Sequence, residues 1–167
     1  MKKKNQKTSF RPLWAPWRIE YIISEKDGSC FLCDRKKKGG NDECMIIHRG
    51  KTAFVVMNMY PYNSGHMMIA PYRHVATYSA LTDKERMEIS ALLVKAEKTL
   101  SRVMRPEGFN IGFNIGKAAG AGVEEHIHMH IVPRWQGDNN FMPVLGDIRV
   151  VPQALEKTAE IIRQNWS

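Results

Sequence analysis

No apolar run among the 167 residues is long enough to cross a membrane, and no apolar core of a secretory signal follows the lysine-rich start from Met1 to Lys7. A cytoplasmic protein with no membrane partner is therefore expected. Cysteine is scarce: Cys30, Cys33 and Cys44 make an odd set, which argues against a disulfide framework in a chain without a secretion signal. Acidic residues are outnumbered 17 to 25, giving a formal charge of +8, yet the excess is local. Lys2, Lys3, Lys4 and Lys7 form one basic cluster and Arg35 to Lys38 another; the remaining 17 basic residues match the 17 acidic ones. Two solvated charge runs explain this balance better than a spread nucleic-acid surface. Beyond the two lysine runs, internal repeats and low-complexity blocks are absent.

An apolar fraction of 43% suits one soluble domain with a real core, expected over residues 11–167 after a mobile basic tail at 1–10. Leu13-Trp14-Ala15-Pro16-Trp17 is expected to pack irregularly against the domain or a partner subunit, and residues 34–43 read as a polar loop. Short β-type runs follow at Met45–Arg49, Thr52–Asn58 and His66–Ala70, separated by Arg49-Gly50-Lys51 and the Pro61–Gly65 turn. Thr82-Asp83-Lys84-Glu85 has capping-box form. It precedes Ile89, Leu92, Leu93, Ala96, Leu100 and Val103 at helical spacing, closed by Pro106 and Gly108. Phe109–Ile115 reads as a strand, Gly116–Gly122 as a glycine-rich loop, and His126–Val132 as a strand ended by Pro133. A last helix is expected from near Pro152 to about Asn165. Hairpin-like strands around one long helix predict an α+β fold with a mainly antiparallel sheet.

In a strand, alternate side chains share a face, so His126, His128 and His130 are expected on one side and Ile127, Met129 and Ile131 on the other. Half of the six histidines on one side of one strand is not core composition. Two chemistries compete for such a row: metal ligation by several rings, or a nucleophilic imidazole flanked by neighbours that orient it and donate to an anion. The preceding loop, Gly116-Lys117-Ala118-Ala119-Gly120-Ala121-Gly122, has the composition of loops that present backbone N–H groups to phosphate, and favours phosphoryl chemistry. Cys30-Phe31-Leu32-Cys33 has metal-ligand or redox spacing.

His126-Ile127-His128-Met129-His130-Ile131-Val132 resembles the histidine-triad (HIT) pattern of alternating histidine and apolar residues at every position. Asn58 and Gly65-His66 resemble that family's upstream Asn…Gly-His segment. The similarity spans roughly residues 45–135. Leu13 to Arg18 and Val132-Pro133-Arg134-Trp135-Gln136-Gly137-Asp138 are similar to the bacterial diadenosine tetraphosphate phosphorylase and ATP adenylyltransferase branch. The resemblance implies a HIT-like fold and cleavage of a dinucleoside polyphosphate or other adenine nucleotide by hydrolysis or phosphorolysis. In that chemistry His128 attacks the α-phosphorus and forms a nucleotidyl-histidine. His130 contacts a non-bridging oxygen or the leaving group, His66 supports the triad, and Asn58 contacts the ribose. Asn114 stands where the family places a polar amide, usually Gln, near the phosphates; Gly120, Ala121, Gly122 and Val123 fall in the phosphate-binding loop, here one residue longer than the common form. Some members hold a structural zinc with a Cys-x-x-Cys pair and two histidines, which fall here on Cys30, Cys33, His74 and His126. A homodimer, or a dimer of dimers, is also implied.

A nucleoside phosphoramidase using the same histidine, a non-catalytic nucleotide- or RNA-binding HIT protein, and a metal-dependent oxidoreductase are the alternatives. The intact triad weighs against simple binding, because binding does not need a nucleophile. Cys44 and His48 receive no role, the latter being expected on the sheet surface.

Overall fold

The computed structural model describes residues 30–35, 45–138 and 154–167. The basic tail, the Trp14 and Trp17 segment, most of the 34–43 loop with its lysine run, Cys44 and the expected start of the last helix at Pro152 lie outside the described residues. Five strands form one antiparallel sheet: β1 (Ile46–Arg49), β2 (Ala53–Met57), β3 (Met67–Pro71), β4 (Gly108–Phe113) and β5 (Met129–Arg134), in the order β1-β2-β3-β5-β4. Among the described residues three α-helices accompany them: α1 (Phe31–Arg35), α2 (Asp83–Met104) and α3 (Leu155–Gln164). None of the described helices is long and apolar enough to cross a membrane. The α+β expectation holds.

Every residue of β2 and β3 is buried, and their β-branched and methionine side chains form much of the core. The helix α2 packs on β2, β3 and β5, while α3 packs on β1 and α2. Its buried stripe, Ile89, Leu92, Ala96, Thr99 and Leu100, follows the expected helical spacing. The capping box is present: Thr82 Oγ1 accepts from the Glu85 amide at 3.3 Å, and the Glu85 carboxylate accepts from the Thr82 amide at 2.8 Å. Arg73, two residues past β3, adds a forked contact to Glu85, at 2.8 and 2.7 Å, so the helix start is tied to the chain leaving the central strand. One turn later the Glu88 carboxylate accepts the amides of Lys51 and Ala53, at 2.7 and 3.2 Å, and the Thr52 hydroxyl, which pins the β1–β2 turn to the same helix.

Strand ends fall within one to three residues of expectation, and the two shifts at β5 have a clear physical reason. The pairing of β5 with β3 covers only Met129 to Ile131. The chain before it leaves the ladder: the Ile127 amide donates to Val75 O at 2.7 Å, so His126 and His128 precede the strand instead of lying in it. Pro133 does not end β5, because beyond Ile131 the strand is paired on the β4 side alone and proline is tolerated there. Gly65 has φ +77°, and an added Cβ would lie 2.5 Å from the Met104 sulfur. Any other residue would be strained at this φ and would have to displace the Met104 side chain, so glycine suits the turn that delivers His66 into the sheet.

Candidate active site

Register places the cavity-facing residues before any ligand does. Met68 of β3 lies opposite His130 of β5, which in turn lies opposite Gly112 of β4; the intervening Met67 and Ile131 face the other way and are fully buried. Beside this row opens a cavity of about 210 Å³. Its polar lining comes from Asn58, Asn114, His128 and His130, and its apolar lining from Phe31, Met59, Tyr60, Tyr62, Met68 and Val123, with Gly120 and Gly122. Of the expected substrate-binding set, Asn58, Asn114, Gly120, Gly122 and Val123 line the cavity. The Ala121 amide instead turns back to Gly116 O at 3.4 Å, and the Gly120 amide to Lys117 O at 2.9 Å. The loop's short 3₁₀ turn at Lys117–Ala119 thus consumes donors that the sequence offered to phosphate.

His128 is 3% exposed, and its Nδ1 lies 2.8 Å from the carbonyl oxygen of His126. A carbonyl only accepts, so Nδ1 carries the hydrogen and the neutral ring keeps its lone pair at Nε2. Burial pushes its pKa below the ordinary histidine value, and the hydrogen bond to the His126 carbonyl only partly opposes this.

His66 does not line the cavity. It is fully buried behind His130, with Tyr62 stacked on it at 4.9 Å between ring centroids. Its Nδ1 accepts the Tyr62 amide at 3.0 Å, so its proton sits on Nε2, which faces His130 Nδ1 at 2.9 Å. His130 therefore accepts at Nδ1 and holds its own N–H at Nε2. The Asn58 amide nitrogen lies 3.4 Å from both His66 ring nitrogens, while its oxygen accepts the Tyr60 amide at 2.9 Å.

The four expected metal ligands converge. Cys30, Cys33, His74 and His126 present one ligand atom each within 4.8 Å of one another, and the two cysteines are not joined in a disulfide. Cys30 Sγ and Cys33 Sγ lie 3.3 and 3.5 Å from His126 Nδ1, and Cys33 Sγ lies 3.3 Å from His74 Nδ1. Around a tetrahedral zinc, sulfur and nitrogen ligands stand about 3.6 Å apart, so the donor set and spacing fit that ion. The outer nitrogens agree: His126 Nε2 donates to Pro71 O at 2.9 Å, and His74 Nε2 faces Glu125 Oε2 at 3.7 Å. Such partners hold Nδ1 unprotonated toward a cation. Burial pushes the Cys30 thiol above its ordinary value; a Cys33 backbone amide opposes this and the neighbouring Cys33 sulfur adds to it. Two sulfurs so placed favour a shared cation.

Sequence reasoning did not find Phe31, Met59, Tyr60, Tyr62 and Met68 in the cavity wall. Phe31 carried a signal, since it sits between the two cysteines of a motif whose other partner adjoins His128. Tyr62 and Met68 became visible only through turn geometry and register. His48 lies half-buried on β1, stacked on Trp166 at 5.5 Å.

A family model described as HIT domain matches residues 39–137. A protein named AP-4-A phosphorylase from Mycobacterium tuberculosis (strain CDC 1551 / Oshkosh) is 36% identical over 170 residues, covering 97% of this chain and 87% of the relative. A bis(5'-nucleosyl)-tetraphosphatase (asymmetrical) from Schizosaccharomyces pombe is 30% identical over 93 residues, covering 56% of this chain and 50% of the relative. Among solved structures, a zinc-bound histidine triad family protein from Mycobacterium smegmatis shares the fold with a TM-score of 0.68 at 23% identity, covering 83% of this chain and 94% of that one.

Proposed function

The chain belongs to the HIT domain family, and on that premise we propose that it is a nucleotidyl transferase or hydrolase that cleaves dinucleoside polyphosphates of the diadenosine tetraphosphate type through a nucleotidyl-His128 intermediate. The observation that carries the reading is the hydrogen bond from His128 Nδ1 to the His126 carbonyl, which leaves the nucleophilic lone pair on Nε2 of a buried, cavity-lining imidazole. Nε2 attacks the α-phosphorus, a P–N bond forms, and the P–O bond to the departing polyphosphate breaks. Water or inorganic phosphate then attacks the same phosphorus, the P–N bond breaks, and the imidazole returns neutral. His130 donates its Nε2–H to a non-bridging oxygen or the leaving group, a preorganised contact to charge that develops in the transition state. His66 positions His130; Asn58 contacts the ribose, and Asn114, Gly120, Gly122 and Val123 bound the phosphates. The apolar wall with Phe31 and Tyr60 suits the face of a nucleobase.

Cys30, Cys33, His74 and His126 hold a structural zinc in this reading, which supplies folding free energy and no step of the reaction. Through the His126 backbone it also steadies the carbonyl that orients His128. The chain works as a cytoplasmic homodimer, or a dimer of dimers; support comes from β4, an edge strand of the sheet with Ile111 45% exposed. Diadenosine tetraphosphate incubated with and without inorganic phosphate tests the activity. ADP plus ATP marks phosphorolysis and AMP plus ATP marks asymmetric hydrolysis. Intact substrate in both incubations overturns the reading.

A further inference from the structure

Trp135-Gln136-Gly137-Asp138, directly after β5, has no part in the chemistry so far, yet its last residue is built into the molecule. The Asp138 side chain is only 9% exposed. Its Oδ2 accepts from Arg134 Nε at 2.6 Å, Asn63 Nδ2 at 2.8 Å and the Trp135 amide at 3.1 Å, and its Oδ1 accepts from Arg134 Nη2 at 2.8 Å. Arg134 is itself braced on Asn110 of β4 at 2.7 Å. Asn63 belongs to the turn before His66, and the same amide nitrogen also donates to Pro133 O at 3.1 Å. Its own carbonyl accepts the His66 amide at 3.2 Å. One buried carboxylate thus ties the turn that carries Tyr62 to the strand that carries His130.

We propose that Asp138 is a positioning residue of the reaction: through Asn63 it holds the Tyr60–Gly65 turn where the Tyr62 amide meets His66 Nδ1, and so sets the tautomers of His66 and His130. The Tyr62 amide fixes the His66 proton on Nε2; His66 Nε2–H then occupies His130 Nδ1, and the His130 proton is left on Nε2. With the turn released, His66 takes its proton on Nδ1 and accepts at Nε2. His130 must then donate from Nδ1 and present a lone pair at Nε2 to the phosphates. That pair repels the charge it is needed to stabilise. No proton is gained or lost in the exchange, only relocated between ring nitrogens.

The inference rests on the reading of His130 as the phosphate donor, and a measurement without substrate separates the two. Nitrogen NMR of histidine-labelled, full-length protein reports which ring nitrogen of His66 and His130 is protonated. Wild type shows one tautomer for each ring, with the hydrogen on Nε2. Asp138→Asn keeps the shape but replaces one acceptor oxygen by an NH2, so either Asn63 or Arg134 loses its partner and the brace weakens; it is expected to give mixed tautomers at both rings. It should lower kcat about 10–100-fold, the scale seen when a partner that orients a metal-bound histidine is lost. KM should stay within about threefold, as for an interaction made in the transition state alone. Asn63→Ala removes the link, together with the Asn63 side chain's contacts to Pro133 O and the Ser64 amide, and leaves the Asp138–Arg134 pair intact; it should reproduce both effects, and it carries the test if Asp138→Asn does not fold. Wild-type tautomers in a folded Asp138→Asn or Asn63→Ala protein overturn the proposal, whatever kcat does. Mixed tautomers with unchanged kcat in either variant, while the wild type does form the His128 adduct, overturn the catalytic half of it. A wild type that forms no adduct overturns the functional reading and leaves the tautomer result standing.

Discussion

His126 and His128 stand two residues apart, are both buried, and do opposite things with their nitrogens. His126 gives its Nε2–H to the Pro71 carbonyl and turns Nδ1 to the cysteines; His128 gives its Nδ1–H to the His126 carbonyl and keeps Nε2 for the cavity. The difference comes from which backbone oxygen each ring meets, since neutral imidazole has one donor and one acceptor and a carbonyl claims the donor. Two regions built from one short segment are thereby kept distinct: a candidate four-ligand cluster with both outer nitrogens occupied, and a cavity lined by an imidazole whose Nε2 keeps its lone pair. They are joined by the His126 backbone, so damage to the cluster reaches the cavity and damage to the cavity need not reach the cluster.

Substitutions on either side of that division test it. The largest effect is expected for His128→Ala: turnover should fall by more than the roughly 10²–10⁴-fold that loss of a general acid or base costs. Nucleotide binding and metal content should persist, measured by calorimetry and metal analysis. A labelled adduct in wild type should survive alkaline quenching and break in acid, as a phosphorus–nitrogen bond requires; an adduct mapped to another residue refutes the assignment. His130→Ala should cost less, about 10²–10³-fold in kcat, because it removes one donor to developing charge and forms no covalent bond. Equal losses from both would erase the distinction between nucleophile and donor.

On the other side, Cys30→Ser should release the metal and lower the melting temperature by about 10 °C, the scale expected when a structural ligand worth several kcal/mol is lost. Unchanged metal content and stability would remove the site. The smallest effect belongs to Glu85, which locks β3 near His74 through Arg73. The Arg73 hydrogen bonds beside it hold its carboxyl at about 2, below the ordinary 4.5, against the opposing push of burial. Between those values the unfolded chain binds the extra proton, so the stabilisation is complete above pH 4.5 and is lost as pH falls toward 2. Glu85→Gln should cost about 1–3 kcal/mol at neutral pH and flatten stability over that acidic window in urea titrations, with turnover at pH 7 little changed. A turnover loss as large as that of His130→Ala would show that the scaffold, not the cavity, limits the reaction.

The long helix was legible because its signals are local: a capping box and an apolar stripe at helical spacing act within a few residues. The histidine row and the Cys-x-x-Cys pair were legible from residue type and spacing; the two tasks expected of the histidines came from the family resemblance. The start of the triad strand was not, because Ile127 gives its amide to Val75 and not to a neighbouring strand. Nor was the loop's use of its own amides, since the expected donors at Gly120 and Ala121 close a turn.

By itself the sequence determined the α+β class, the helix α2, the Cys-x-x-Cys pair and the row of histidines, each from periodicity or residue identity over short spans; His74 and His126 joined the cysteines as candidate ligands through the family resemblance. Tertiary structure alone decided which nitrogen each imidazole exposes, that Phe31, Tyr62 and Met68 wall the cavity, that His66 lies behind His130, and that Asp138 reaches Asn63 across 75 positions of chain. A ring's tautomer is set by whichever donor or acceptor the fold brings to within about 3 Å, and that partner is named by folding, not by sequence neighbours.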